Sequence, residues 1–165
     1  PTHQRTRVGT DVGADDPSRR RRGRRLGCRR GRGCGRGHRG YGGAATAVAA
    51  AAAAGIPLTR RLTARRVQFV TGHDVSGVLP EDLNIVALAD PQATTVVFMG
   101  KRTFPKLAKI LQDAGLSSET PALLVESVST PDQNIIRGTI SSLSESLSQS
   151  IGTAPALILY GALAE

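Results

Sequence analysis

The composition of the chain changes abruptly near Ala44, and that change limits what can fold. Residues 1–43 hold 13 of the 22 Lys and Arg, with only Asp11, Asp15 and Asp16 against them, a local balance of +10. Residues 44–165 hold 9 basic and 10 acidic side chains, a balance of −1. The net charge of +9 therefore belongs to a segment, and does not by itself argue for a nucleic-acid partner. The front segment has almost no apolar material to bury, so the core must come from the 122 residues that follow, enough for one modest domain. With no Trp, two Tyr and only Phe69, Phe98 and Phe104, that core is expected to be built from Val, Ile, Leu and Ala. Cys28 and Cys34 lie in the Arg/Gly tract and give no sign of a secreted disulfide scaffold.

The longest apolar stretch, Ala44 to Ala54, is too short and too weakly hydrophobic to span a bilayer. The N-terminus is Arg-rich and acid-poor like an organellar transit peptide, but it lacks the amphipathic face such peptides need. The expectation is a soluble, cytoplasmic chain with no membrane association.

From Ala44 onward the residues read as alternating helices and strands. Ala44 to Ala54 has the highest helix propensity available, ended by Gly55, Ile56 and Pro57. Val67 to Val70 predicts a strand running into the turn Thr71-Gly72-His73. Glu81 to Ala89 predicts a short helix behind Pro80. Thr94 to Met99 is a β-branched apolar run ended by Gly100, which predicts a buried strand. Thr103 to Ala114 predicts an amphipathic helix with Thr103 as N-cap and Gly115 as its stop. Pro121 to Val125 predicts a strand, Asn134 to Ile140 an extended segment, Ser141 to Ile151 a helix and Pro155 to Tyr160 a last strand. This alternation implies an α/β sheet, with ligands expected in the loops at its strand ends.

Five stretches appear in a familiar order: Gly55-Ile56-Pro57-Leu58-Thr59, Val67-Gln68-Phe69-Val70-Thr71-Gly72-His73, Val96-Val97-Phe98-Met99-Gly100, Thr120-Pro121-Ala122-Leu123-Leu124-Val125-Glu126 and Pro155-Ala156-Leu157-Ile158-Leu159-Tyr160-Gly161. Together they resemble the successive motifs of the uroporphyrinogen-III C-methyltransferases, the methylase module of siroheme synthases within the tetrapyrrole methylase family. The resemblance covers residues 44–165. It implies the C-terminal α/β domain of a class III S-adenosylmethionine-dependent methyltransferase, preceded by an Arg/Gly-rich segment at residues 1–43. It also implies S-adenosylmethionine as methyl donor, a porphyrinogen as acceptor on the way to siroheme or cobalamin, and a homodimer with no interface residue assigned. The family's Gly-Pro-Gly-Asp loop, with the acid and lysine proposed for proton transfer, has no counterpart in the sequence, so no catalytic residue is carried over.

By the same resemblance Met99, at the mouth of its strand, matches the family's methionine beside the cofactor, where a polarizable thioether packs on the adenine. A core methionine at a strand end is the plainer alternative. Val128 falls where the family makes a backbone contact to the adenine, often from Gly. Thr46 is the nearest match to the threonine of the family's Pro-Gly-Ile-Thr-Ala turn, and Pro121 and Ala122 fall on the strand below the adenine. The acceptor carries eight carboxylates and needs cations that fork onto oxygen pairs. Arg60, Arg61, Arg65, Arg66, Lys101 and Arg102 flank the motifs and are the candidates, against the alternative of a solvated basic rim. His73 either binds a carboxylate or caps the turn with Asp74. Methyl transfer from a sulfonium to a pyrrole carbon needs alignment more than acid chemistry. The string Cys28, Cys34, His38 has neither a fourth ligand nor ordinary zinc spacing, and no metal is expected.

The front segment admits three readings. The first is an Arg/Gly arm, Arg19 to Gly43, that binds phosphate backbones through charge, with only Tyr41 available for stacking; a nucleic-acid-binding protein is the alternative function this implies. The second is an idle, disordered extension. The third, which we favour, is a shifted reading frame. One base of displacement turns CGN and GGN codons into GNC and GNG, which encode Ala, Val, Gly, Asp and Glu, and Gly40 to Ala44 then reads Val-Thr-Ala-Ala, close to the family's turn.

Overall fold

The central apolar runs carry aliphatic side chains at consecutive positions, and neighbouring strand residues point to opposite faces, so both faces of the sheet need cover. The computed structural model describes residues 43–162; the Arg/Gly tract, with Cys28, Cys34, His38 and Tyr41, lies outside the described residues. In chain order the elements are α1 (Gly43–Ala54), β1 (Arg66–Thr71), α2 (Ile85–Leu88), β2 (Ala93–Phe98), α3 (Phe104–Asp113), β3 (Pro121–Glu126), β4 (Asn134–Thr139), α4 (Ile140–Gln149) and β5 (Ala156–Tyr160). The five strands form one mixed sheet in the order β1-β2-β5-β3-β4. Strand β1 is parallel to β2, β5 is antiparallel to both β2 and β3, and β4 is antiparallel to β3. Hence β1, β2 and β3 run in one direction, and their carboxyl ends share one rim.

Each face has its own apolar cluster. Val97, Ala122, Leu124, Ile158 and Tyr160 pack with Phe104, Leu107 and Leu111 of α3, Ile140, Leu143 and Leu147 of α4, and Leu88 of α2. Val96, Leu123, Val125, Leu157 and Leu159 face the other way and meet α1. Helix α1 is almost pure alanine, and Ala47, Ala50, Ala51 and Ala54, the positions that share one side of a helix, are the buried ones. Its two ends are placed by contacts: Gly43 lies against the Phe98 ring, and the Arg137 guanidinium of β4 donates to the carbonyl of Ala54, one of the acceptors a helix C-terminus leaves open. Among the described residues no helix is long and apolar enough to cross a membrane.

Two expectations are corrected. The helix foreseen over Glu81 to Ala89 is a single turn, because Asn84 caps it by accepting from the Ala87 amide at 3.1 Å, while Glu81 and Asp82 form a turn. Thr103 precedes α3 as foreseen but does not cap it. Its φ and ψ are helical and its hydroxyl makes no capping bond, donating instead to the carbonyl of Gly72.

Candidate functional site

At the shared carboxyl rim β1 runs into Gly72 and His73, β2 into Met99, Gly100, Lys101 and Arg102, and β3 into Ser127, Val128 and Ser129. The first two loops meet backbone to backbone: a Cβ on Gly72 would lie 2.6 Å from the Gly100 Cα, so only glycine permits the approach. Above them opens a pocket of about 450 Å³, lined by His73, Met99, Lys101, Arg102 and the segment Ile151 to Ala156. The carboxyl ends of parallel strands are where open α/β sheets hold ligands.

Backbone strain is concentrated at this rim. Met99 (φ 52°), Ser127 (φ 49°) and Ser129 (φ 62°) are the non-glycine residues with positive φ among those described, and each follows β2 or β3. Such conformations cost roughly 1–3 kcal/mol each and gather at functional sites. His73 braces the first of them, its Nδ1 lying 2.6 Å from the carbonyl oxygen of Met99. A carbonyl only accepts, so Nδ1 carries the proton and Nε2 is left for a ligand. The turn after His73 is closed by Asp74 instead, whose Oδ1 accepts from the Ser76 amide, the Ser76 hydroxyl and the Val78 amide. The bond from the Ser76 hydroxyl holds the Asp74 carboxyl below its ordinary range.

Val128 sits between two left-handed serines. The Ser127 amide donates to the Pro155 carbonyl at 2.8 Å, and the Ser129 amide to Gln133 Oε1 at 2.9 Å. The amide and carbonyl of Val128 itself make no hydrogen bond among the described residues, while its side chain is half-buried against the α1 cluster. The Met99 side chain is more than half exposed. It therefore stands over the pocket and is not a core methionine.

The cations differ sharply. Lys101 is buried, with its Nζ 2.6 Å from Glu126 Oε1 and 3.3 Å from the Ala154 carbonyl. The Lys101 hydrogen bond outweighs burial and lowers the Glu126 carboxyl below its ordinary value. Arg102 lines the same pocket, is exposed, and makes no ion pair among the described residues. Arg65 and Arg66 lie at the opposite end of the sheet, where Arg66 pairs with Asp90 and Arg65 donates to the Arg61 carbonyl. Pro121 and Ala122 begin β3, and Pro121 lies five residues from Glu126, which is roughly 17 Å along a strand. Thr46 lies in the first turn of α1, beside the Phe98 end of β2 but on the far face from α3. Of the residues singled out from the sequence, His73, Met99, Lys101 and Arg102 thus meet in the pocket, with Val128 and Thr46 at the same sheet end. Glu126, Asn134 and the wall Ile151 to Ala156 were missed. An acid closing an apolar strand was the one visible sign of Glu126.

Comparison with known proteins decides the family. The profile of the Tetrapyrrole (Corrin/Porphyrin) Methylases matches residues 42–144. The chain belongs to the tetrapyrrole methylase family. Among its relatives, siroheme synthase of Chromobacterium violaceum is 42% identical over 123 residues, spanning 74% of this chain and 26% of that protein. The chloroplastic S-adenosyl-L-methionine-dependent uroporphyrinogen III methyltransferase of Arabidopsis thaliana is 38% identical over 123 residues, 74% of this chain and 33% of that one. This tetrapyrrole methylase chain therefore spans about a quarter to a third of these curated relatives. Among solved structures, a cobalt precorrin-4 methyltransferase of cobalamin biosynthesis matches with a TM-score of 0.59 at 30% identity, covering 69% of this chain and 47% of that one. Uroporphyrin-III C-methyl transferase of Thermus thermophilus, complexed with S-adenyl homocysteine, matches at 0.55 and 31%, covering 67% and 48%.

Proposed function

We propose that this chain forms the cofactor-binding half of an S-adenosylmethionine-dependent C-methyltransferase that converts uroporphyrinogen III to precorrin-2, on the route to siroheme or cobalamin. The observation that carries this reading is the strained rim itself, where Met99, Ser127 and Ser129 adopt left-handed backbone around one pocket in a tetrapyrrole methylase fold. Residues 44–165 are taken as the functional module, which the family match to residues 42–144 supports.

The rim fits a nucleoside sulfonium. The unpaired amide and carbonyl of Val128 match the edge of an adenine, which offers both an acceptor and a donor. The exposed Met99 thioether can lie on the purine face, and Thr46, in the first turn of α1, borders the same sheet end. When bound, S-adenosylmethionine supplies the methyl group from its sulfonium. His73 Nε2 and the Arg102 guanidinium face the acceptor's carboxylates, Arg102 through paired N–H donors. Holding donor and acceptor in line supplies most of the rate benefit. Arg65, Arg66, Pro121 and Ala122, at the far end of the sheet, take no part.

Titration of the folded full chain with S-adenosylhomocysteine tests this. Saturable heat with one site is expected, and its absence in a folded sample would remove the cofactor role. Binding to nucleic acid that collapses with salt and ignores S-adenosylhomocysteine would instead favour an Arg/Gly arm.

A further inference from the structure

We infer that Lys101 and Glu126 form a pin that positions the pocket wall Ile151 to Pro155, and that Lys101 is not a cation offered to the acceptor. The two residues belong to strands that are not neighbours. Lys101 follows β2 and Glu126 ends β3, with β5 inserted between them. Their contact at 2.6 Å therefore spans the point where the chain enters β5, and the wall must pass against it. Three contacts show that it does. Lys101 Nζ donates to the Ala154 carbonyl at 3.3 Å. A Cβ built on Gly152, at φ 60°, would lie 3.3 Å from that Nζ and 4.0 Å from Glu126 Oε1, so the Gly152 backbone rests on the pair. The Ser127 amide, next in chain to Glu126, holds the Pro155 carbonyl at 2.8 Å.

The wall has no helix or strand over Ile151 to Pro155 to order it, so these contacts set its position. The pin is itself braced, since Asn134 Nδ2 donates to the second carboxylate oxygen of Glu126 at 3.2 Å. With side-chain exposures of 11% and 18%, both groups are largely shielded from water, and each depends on the other. Two of the three donors of Lys101 Nζ are taken by Glu126 and the Ala154 carbonyl, and its charge is already paired, while Arg102 beside it makes no ion pair among the described residues. Any effect on ligand affinity rests on the cofactor reading above; the positioning of the wall does not.

Amide hydrogen exchange of the full chain separates a pin from a merely structural pair. Lys101→Met loses a charge-assisted hydrogen bond, and exchange across residues 150–156 is expected to accelerate by roughly tenfold or more. Replacing both charges, Lys101→Met with Glu126→Met, removes the unpaired buried charge and is expected to recover most of the lost thermal stability while those amides stay fast. Lys101→Arg should slow them again. Wall exchange at the wild-type rate in the double variant, or acceleration spread evenly over the sheet, would overturn the pin. In the same samples, S-adenosylhomocysteine should bind the double variant about three- to tenfold more weakly than wild type, the loss expected for one displaced contact. If wild type itself gives no heat, the cofactor reading fails, and the exchange rates still decide the pin.

Discussion

Met99 and Tyr160 show how single residues divide the labour between site and core. Met99 spends backbone energy to place an exposed thioether over the pocket. Its left-handed φ suits glycine, so Met99→Gly exchanges relief of roughly 1–2 kcal/mol of strain against a more flexible unfolded chain. Thermal stability is expected to stay within about 0.5 kcal/mol of wild type, while S-adenosylhomocysteine affinity falls roughly three- to tenfold with the lost sulfur contact. A loss of stability much beyond that range would show that the side chain belongs to the core. Tyr160 does the opposite. It is buried, its ring tilts on Phe104 with centroids 6.5 Å apart, and its hydroxyl donates to the Leu88 carbonyl at 3.0 Å. Burial pushes its pKa far up, so the folded state keeps a proton that the unfolded chain releases above about pH 10. Folding stability must then fall as pH rises past that value. Tyr160→Phe should cost about 1 kcal/mol at neutral pH and abolish the alkaline decline, so the two urea midpoints converge near pH 11. Parallel midpoints across that range would rule this account out.

Among the elements, α1 is defined by smallness. A helix can approach a sheet closely where its inner face is alanine, and here Ala47 and Ala50 are fully buried while Val48 on the outer face is 56% exposed. Ala50→Leu is expected to lower stability by about 1–3 kcal/mol through overpacking, and Val48→Ala to change it by less than about 0.5 kcal/mol. Equal urea midpoints for the two variants would show that α1 does not seat on the sheet. Strands β2, β3 and β5 were legible because apolar runs bounded by Gly and Pro leave little else to form, and α1 because alanine and Gly55 mark its body and its end. Helix α2 was overestimated because Asn84, a strong cap, lay inside the presumed helix and started it late.

At the scale of the molecule, the resemblance located the rim but not its wiring. His73, Met99 and Arg102, which line the pocket, could be singled out because each lies in or beside a motif. The Lys101 and Glu126 pair could not, because 25 residues separate its members and their meeting depends on which strand lies between theirs. The same reason left the places of Pro121 and Ala122 unread: they begin β3, at the end away from the pocket, since a motif names a strand while the sheet decides which end of it faces the pocket.

The position of β5 also governs how the fold comes into being. Among the described residues, the strand latest in sequence is the middle strand of the sheet. Before Ala156 to Tyr160 emerge, β1 with β2 and β3 with β4 are two separate ribbons, each marginal alone, with the apolar edges of β2 and β3 open to water or to other chains. A chain in which β5 has not yet entered the sheet is exposed to aggregation at the two edges that this strand joins.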